Sequence, residues 1–201
     1  MDRSAHDPTR GRGRPREFDA DAALDAAMRL FWRRGYAATS LTELTAAMGI
    51  GRSSLYAGFG TKHDVLVQAI GRYVDSALAE VEAAAAAAPD PVSAVRAMLL
   101  RVAEPDGGDR GCFLVNCITE LAPDDPDVVA AARRTTDRLE ALLSDALVAA
   151  GASGARDPAH RRAAARALIS VAHGATLMRK SGRSGRHVRE MLASVDPLIR
   201  G

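Results

Sequence analysis

Nowhere in the chain do four or more positions alternate strictly between apolar and polar, and that absence removes the half-buried β-strand as a building unit. Apolar residues return instead at steps of three and four, the period of an amphipathic helix. Alanine carries much of the 47% hydrophobic content and aromatics only 4%, a balance that favours helix. Alanine is the best helix former, and the β-branched and aromatic residues that fit a pleated surface are scarce. The expected fold class is all-α, in a chain of 201 residues, long enough for one or two small domains with real cores.

Helical periodicity begins at Phe18. Ala23, Ala26, Ala27, Leu30 and Phe31 share one face of a first helix that opens near Asp19 or Asp21 and stops at Gly35. Ser40 and Glu43 have capping-box spacing for a second helix, with Leu41, Leu44 and Met48 as its buried stripe and Gly49 in the left-handed position after its end. A short third helix runs from Arg52 to Gly58, with Leu55 and Phe59 turned inward. Thr61 and Asp64 cap a long fourth helix from Lys62 to near Ala87, which Pro89 and Pro91 close. Further helical patterns at 92–104, 112–122, 127–150, 158–180 and 185–199 are separated by turn-type sequences, giving nine helices in all.

Net charge is +2, too small to mark a nucleic-acid binder by itself, but its distribution is uneven. The first sixteen residues hold five arginines against two aspartates and no apolar run, so residues 1–17 read as a flexible basic arm. No signal peptide or stretch of 18 apolar residues is present, and two cysteines make no disulfide framework; a soluble cytoplasmic protein is expected.

Residues 41–59 meet the physical requirements of a helix-turn-helix. Two helices that cross closely need a glycine at the turn, Gly49, and an apolar plug after it, Ile50. The short second helix carries Arg52, Ser53 and Ser54 at its amino end, small polar and basic groups that can meet base edges in a major groove. Tyr56 and Lys62 suit phosphates. The stretch from Phe18 to about Tyr73 resembles the amino-terminal domain of TetR-type bacterial transcriptional regulators. The resemblance rests on Phe31, Gly35 and Tyr36, then Thr39-Ser40-Leu41, then the turn, then Leu55, Tyr56, Phe59 and Lys62. It implies a homodimer in which three helices (18–62) form the DNA head and the remainder (63–201) an effector-binding and dimerisation body. Carried over by position, Thr39 and Ser40 would meet phosphate, Arg52, Ser53 and Ser54 bases, and Tyr56 and Lys62 the backbone. Thr45 replaces the alanine usual at the helix crossing, and its hydroxyl needs a carbonyl one turn back. Ala57 and Gly58 stand where many members place larger residues, so fewer backbone contacts are expected there.

The segment "RGRGRPREF" contains Arg-Gly-Arg-Pro flanked by arginines and resembles a minor-groove AT-hook core, with Arg12 and Arg14 as the inserted side chains. For the body, Met98, Phe113, Asn116, Glu120, His173 and Met178 are candidate pocket residues, each weighed against an ordinary core or solvated role. Val188, Met191, Leu192, Val195 and Leu198 form the apolar stripe expected at the dimer interface. Cys112 and Cys117, five residues apart, point about 140° from one another on a helix and cannot bridge without unwinding it. The expected function is a sequence-specific DNA-binding regulator, a repressor released from a palindromic operator by a small effector, with no cofactor and no metal. Three alternatives remain open: thiol sensing through Cys112 or Cys117, an architectural DNA binder acting through the arm, and an all-helical enzyme. The enzyme lacks support from any H-E-x-x-H, C-x-x-C, G-x-S-x-G or glycine-rich phosphate motif.

Overall fold

The computed structural model describes residues 19–105, 108–152 and 157–200, so the arm with Arg12 and Arg14 lies outside the described residues. Among them the chain forms ten α-helices and no strand: α1 (Ala20–Arg34), α2 (Leu41–Met48), α3 (Arg52–Gly58), α4 (Lys62–Ala86), α5 (Pro91–Ala103), α6 (Phe113–Leu121), α7 (Pro126–Ala149), α8 (Pro158–Lys180), α9 (Gly185–Ala193) and α10 (Asp196–Arg200).

Local chemistry sets nearly every boundary. Ser40 with Glu43 and Thr61 with Asp64 form complete capping boxes. Three body helices begin with one device, an aspartate cap followed by proline: Asp90-Pro91, Asp125-Pro126 and Asp157-Pro158. The aspartate accepts backbone N–H bonds that helix geometry leaves orphaned, and proline at the first position loses nothing because its missing N–H had no partner. Each such cap contributes about 1 kcal/mol. Gly49 adopts φ 68°, the left-handed value expected of the residue ending α2.

The sequence pattern at 185–199 reads as one helix, but the structure breaks it at Ser194 and Val195. Pro197 explains the break: continuing α9 would leave the Ala193 carbonyl without its N–H and press the proline ring against it, whereas proline in the first turn of α10 loses no bond. Asp196 is held by the Arg96 guanidinium, whose Nε donates to it at 2.9 Å. That ion pair fastens α10 to α5.

Two apolar clusters divide the interior. The larger joins α5, α7, α8, α9 and α10 with one side of α4 through residues such as Val81, Val95, Leu99, Leu143, Leu168 and Ile199. The second is built on α1–α3 but does not stop at residue 62: Val65, Leu66, Ala69 and Ile70 of α4 and Phe113, Leu114 and Cys117 of α6 belong to it. The head is therefore cored partly by helices that sequence reading assigns to the body.

Within one chain the stripe expected at the dimer interface is unevenly covered. Val188 is 0% exposed within its own chain, and Met191, Leu192 and Val195 pack against the same cluster. Met191, Leu192 and Val195 are half-buried and Leu198, at 43% exposure, is open. Val188 is therefore spent on closing the body of its own chain, while the other four keep surface outside it. Val188→Ala should accordingly cost about 2 kcal/mol in urea denaturation, and the loss should not depend on protein concentration.

Candidate nucleic-acid interface and effector cavity

The head is organised around the α2–α3 corner. Leu44 and Leu55 are fully buried and Met48 and Phe59 nearly so, forming the small core that fixes the two helices. Thr45 is buried at the crossing, and its hydroxyl donates to the carbonyls of Leu41 at 3.0 Å and Thr42 at 3.1 Å, the partner one turn back that sequence reasoning requires. With Leu55 pinned inward, the rest of α3 faces out: Arg52 and Ser53 are exposed, Ser54 half-buried, and Tyr56 55% exposed. Arg52 donates to the Thr42 hydroxyl at 2.9 Å, which sets the guanidinium against α2.

The two residues before α2 take different roles. Ser40 is exposed, and its hydroxyl both donates to Glu43 and accepts the Glu43 N–H. Thr39 is only 1% exposed, and its hydroxyl donates to the Gly35 carbonyl at 2.7 Å. The Thr39 side chain thus shapes the α1–α2 turn from inside and offers no hydroxyl to solvent. Lys62 holds its ammonium 4.2 Å over the Tyr36 ring. Partial burial lowers its pKa, against the opposing pull of Glu120.

That same turn meets the body. The Glu120 carboxylate, at the end of α6, accepts the backbone N–H of Tyr36 at 3.0 Å and of Ala37 at 2.8 Å. Gly35, at φ 83°, allows this approach, because a Cβ there would lie 3.0 Å from a Glu120 oxygen. His63 Nε2 meets Asp125 Oδ2 at 2.8 Å, a second tie from the first turn of α4 to the cap of α7. His63, Asp125 and Asp127 place their ligand atoms within 4.8 Å of one another, a set that metal chemistry can use. Asp125 is, however, already fully engaged: its other oxygen caps α7 by accepting from Asp127 and Val128. Burial raises the Asp125 pKa, but the Val128 N–H and His63 outweigh it and leave it below the usual carboxylate value.

A cavity of about 1020 Å³ opens between α1, α4, α5, α6, α7 and α8. Of the six candidate ligand residues, only His173 lines it. Met98 is core, 2% exposed, and Met178 lies on the surface at 39%. Phe113, Asn116 and Glu120 border a separate recess of about 330 Å³ beside the α1–α2 turn. There Asn116 accepts from Lys180 at 2.7 Å and donates to the Arg110 carbonyl at 3.0 Å. What sequence reading missed is the contribution of α1: Leu24, Met28 and Trp32 form one wall of the large cavity. The surviving signal was Trp32 itself, the only tryptophan, on the flank of a helix whose buried face is otherwise alanine and leucine.

Both cysteines are free. Cys112 lines the cavity and accepts a hydrogen bond from the Tyr73 hydroxyl at 3.3 Å. Cys117 is buried in the head core, and burial pushes its thiol up to about 12, which suppresses the nucleophilic thiolate.

The bacterial regulatory proteins of the tetR family match residues 23–69, and the LmrA/YxaF-like transcriptional regulator C-terminal domain matches residues 91–193. The chain belongs to the TetR family. It is 30% identical over 146 residues to the uncharacterized HTH-type transcriptional regulator YezE of Bacillus subtilis (strain 168), covering 71% of this chain and 75% of that one. To the HTH-type transcriptional repressor ComR of Escherichia coli (strain K12) it is 39% identical over 127 residues, a match that spans 59% of either chain. The fold superposes with a TM-score of 0.70 and 26% identity on a cysteine mutant of CifR complexed with 26 bp double-strand operator DNA, covering 94% of this chain and 99% of that one. The family is one of transcriptional regulators and not of enzymes. No described helix of this TetR-family chain is long and apolar enough to cross a membrane.

Two outcomes are expected. Glu120→Ala should raise amide hydrogen exchange at Tyr36 and Ala37 by about tenfold or more, as two N–H groups lose their acceptor. Iodoacetamide should alkylate Cys112 well before Cys117 in the native protein, with both reacting at once only after unfolding; mass spectrometry of the digested protein reads the order.

Proposed function

We propose that this chain is a sequence-specific DNA-binding transcriptional regulator, a repressor that leaves a palindromic operator when a small molecule binds its body. The observation that carries the reading is α3: Leu55 is locked into the head core while Arg52, Ser53, Ser54 and Tyr56 stand on the open side of a short, rigidly held helix. Such a helix can enter a major groove, its first residues meeting base edges. The repressor named for ComR and the operator bound by CifR support the same reading.

In this proposal Arg52, Ser53 and Ser54 read bases, and Ser40 and Tyr56 meet phosphates. Lys62 reaches phosphate from the face of Tyr36, a contact that consumes none of its N–H groups. Thr39 acts indirectly, by fixing the turn that presents Ser40. Arg12 and Arg14 enter the minor groove beside each half-site. Two chains related by a two-fold axis place their α3 helices in successive major grooves. An effector in the body shifts the population toward a head spacing that no longer fits the DNA.

The test is selection of bound duplexes from a random pool with the full chain and with variants. Wild type should enrich a two-fold symmetric site with half-sites about one helical turn apart. Tyr56→Ala should weaken binding to all duplexes alike, whereas Arg52→Ala should alter the selected bases. Deleting residues 2–16 should reduce affinity and erase any flanking A·T preference. Enrichment of no symmetric site, or binding that survives Tyr56→Ala and Arg52→Ala but vanishes with the arm, would replace the regulator by an architectural binder.

A further inference from the structure

The open side of α3 carries one cation, Arg52, and the way that cation is held differs from the other arginines of the fold. Arg34, Arg72, Arg96, Arg138 and Arg166 each meet a carboxylate. Arg52 instead donates from Nη2 to a neutral hydroxyl, Thr42 Oγ1, at 2.9 Å across the α2–α3 corner. The two helices contain a single acid, Glu43, and it is committed elsewhere. Its carboxylate accepts the Ser40 N–H at 2.9 Å and hydroxyl at 2.8 Å, and pairs with Arg34 at 2.6 Å. The Arg52 charge is therefore oriented without being neutralised.

Thr42 is well placed to orient it. Its side chain is exposed, so packing in the core does not account for it, yet its backbone is fixed. It is the second residue of α2, directly behind the Ser40 capping box, and its carbonyl accepts the buried Thr45 hydroxyl at 3.1 Å. A β-branched side chain on a helix has few χ1 states, so a fixed backbone fixes the hydroxyl as well. Leu44, Met48 and Leu55 lock the corner and with it the separation between Thr42 and Arg52.

We propose that Thr42 is a positioning residue for base reading: its hydroxyl holds the Arg52 guanidinium so that Arg52 recognises a guanine in the major groove. A long arginine side chain loses much rotamer freedom when it is immobilised, and a tether in the free protein removes part of that cost before DNA arrives. The two N–H groups on Nη2 lie on different bidentate edges of the guanidinium, so donating one of them leaves the other edge whole. Guanine answers such an edge with two acceptors, O6 and N7, whereas adenine sets its N6 donor against one of the two N–H groups. Thr42 thus contributes specificity while touching no base. The inference rests on the DNA-binding reading above and adds to it a residue on α2 and the identity of one base.

The test is duplex selection with the full chain as wild type, Arg52→Ala, Thr42→Val, Thr42→Ser and the Thr42→Val/Arg52→Ala double variant. Thr42→Val keeps the shape of the side chain and removes only the hydroxyl. Wild type should select a guanine at one half-site position, and Arg52→Ala should relax that preference about tenfold. Thr42→Val should relax the same position about threefold, the worth of one net hydrogen bond, with the other positions and the salt dependence unchanged. Thr42→Ser should restore the guanine. In the Arg52→Ala background Thr42→Val should add nothing, because the partner through which it acts is gone. In the free protein, the 15N–1H nuclear Overhauser effect at Arg52 Nε should fall in Thr42→Val and recover in Thr42→Ser.

A Thr42 hydroxyl that met phosphate directly would give another pattern: Thr42→Val would weaken binding to all duplexes alike, and by the same factor with or without Arg52. That result, or a guanine preference or an Arg52 Nε signal untouched by Thr42→Val, would overturn the proposal. An enriched duplex whose bases ignore Thr42→Val would remove this role alone. Failure of wild type to enrich any duplex would remove the DNA-binding reading and this role with it.

Discussion

Three aromatic rings join the head of this molecule to its body. Trp32 from α1, Tyr73 from α4 and Phe113 from α6 meet pairwise with centroids 5.2 to 5.8 Å apart, two of the three contacts edge to face. In a chain with only 4% aromatic residues this concentration decides the architecture. Aromatic contacts are worth roughly 0.5–1.5 kcal/mol each beyond the area they bury, and they are directional, so they fix an angle between helices as well as a distance. Buried Phe113 fills the head core, and Trp32 and Tyr73 border the cavity. The cluster is therefore core and cavity wall at once.

Around it, α6 acts as the element shared by both parts. Phe113, Leu114 and Cys117 are committed to the head core, Val115 and Ile118 to the cavity, and Glu120 to the backbone of the α1–α2 turn. Phe113, Cys117 and Glu120 also recur at intervals of three to four, so one helical face carries the whole attachment to the head. A change on the cavity side of so short a helix cannot be absorbed locally, since its opposite side is close-packed and hydrogen-bonded. Polar ties between the two parts include Glu120 on the turn, His63 on Asp125, and Arg72 of α4 on Asp21 and Asp25 of α1.

Much of this was legible before any coordinates. The caps at Ser40 and Thr61, the glycine turn at Gly49, the inward Leu55 and Phe59 and the carbonyl partner of Thr45 all follow from short-range rules, and the structure realises each of them. Short-range rules also contain the break in the last helix, because Pro197 marks it; reading 185–199 as one helix gave the apolar periodicity more weight than the proline. The pocket residues were a different matter. Met98, Phe113, Asn116, Glu120 and Met178 were reasonable by residue type, but whether an apolar side chain becomes core, cavity wall or open surface depends on which helix lies opposite, and no local pattern carries that information.

The sequence by itself determined the helices, nearly all of their ends and the exposed face of α3, because propensity, capping and periodicity act within a few residues and survive any arrangement of the whole. Only the tertiary structure decided that Val188 is buried within its own chain, and that Glu120 serves the head instead of solvent. It also decided that α1 forms a wall of the cavity. Each of these is a pairing between positions tens of residues apart in the chain, fixed by the competition among many apolar faces for a limited interior. A stripe of leucines and valines states that it must be buried; the assembled fold states against what.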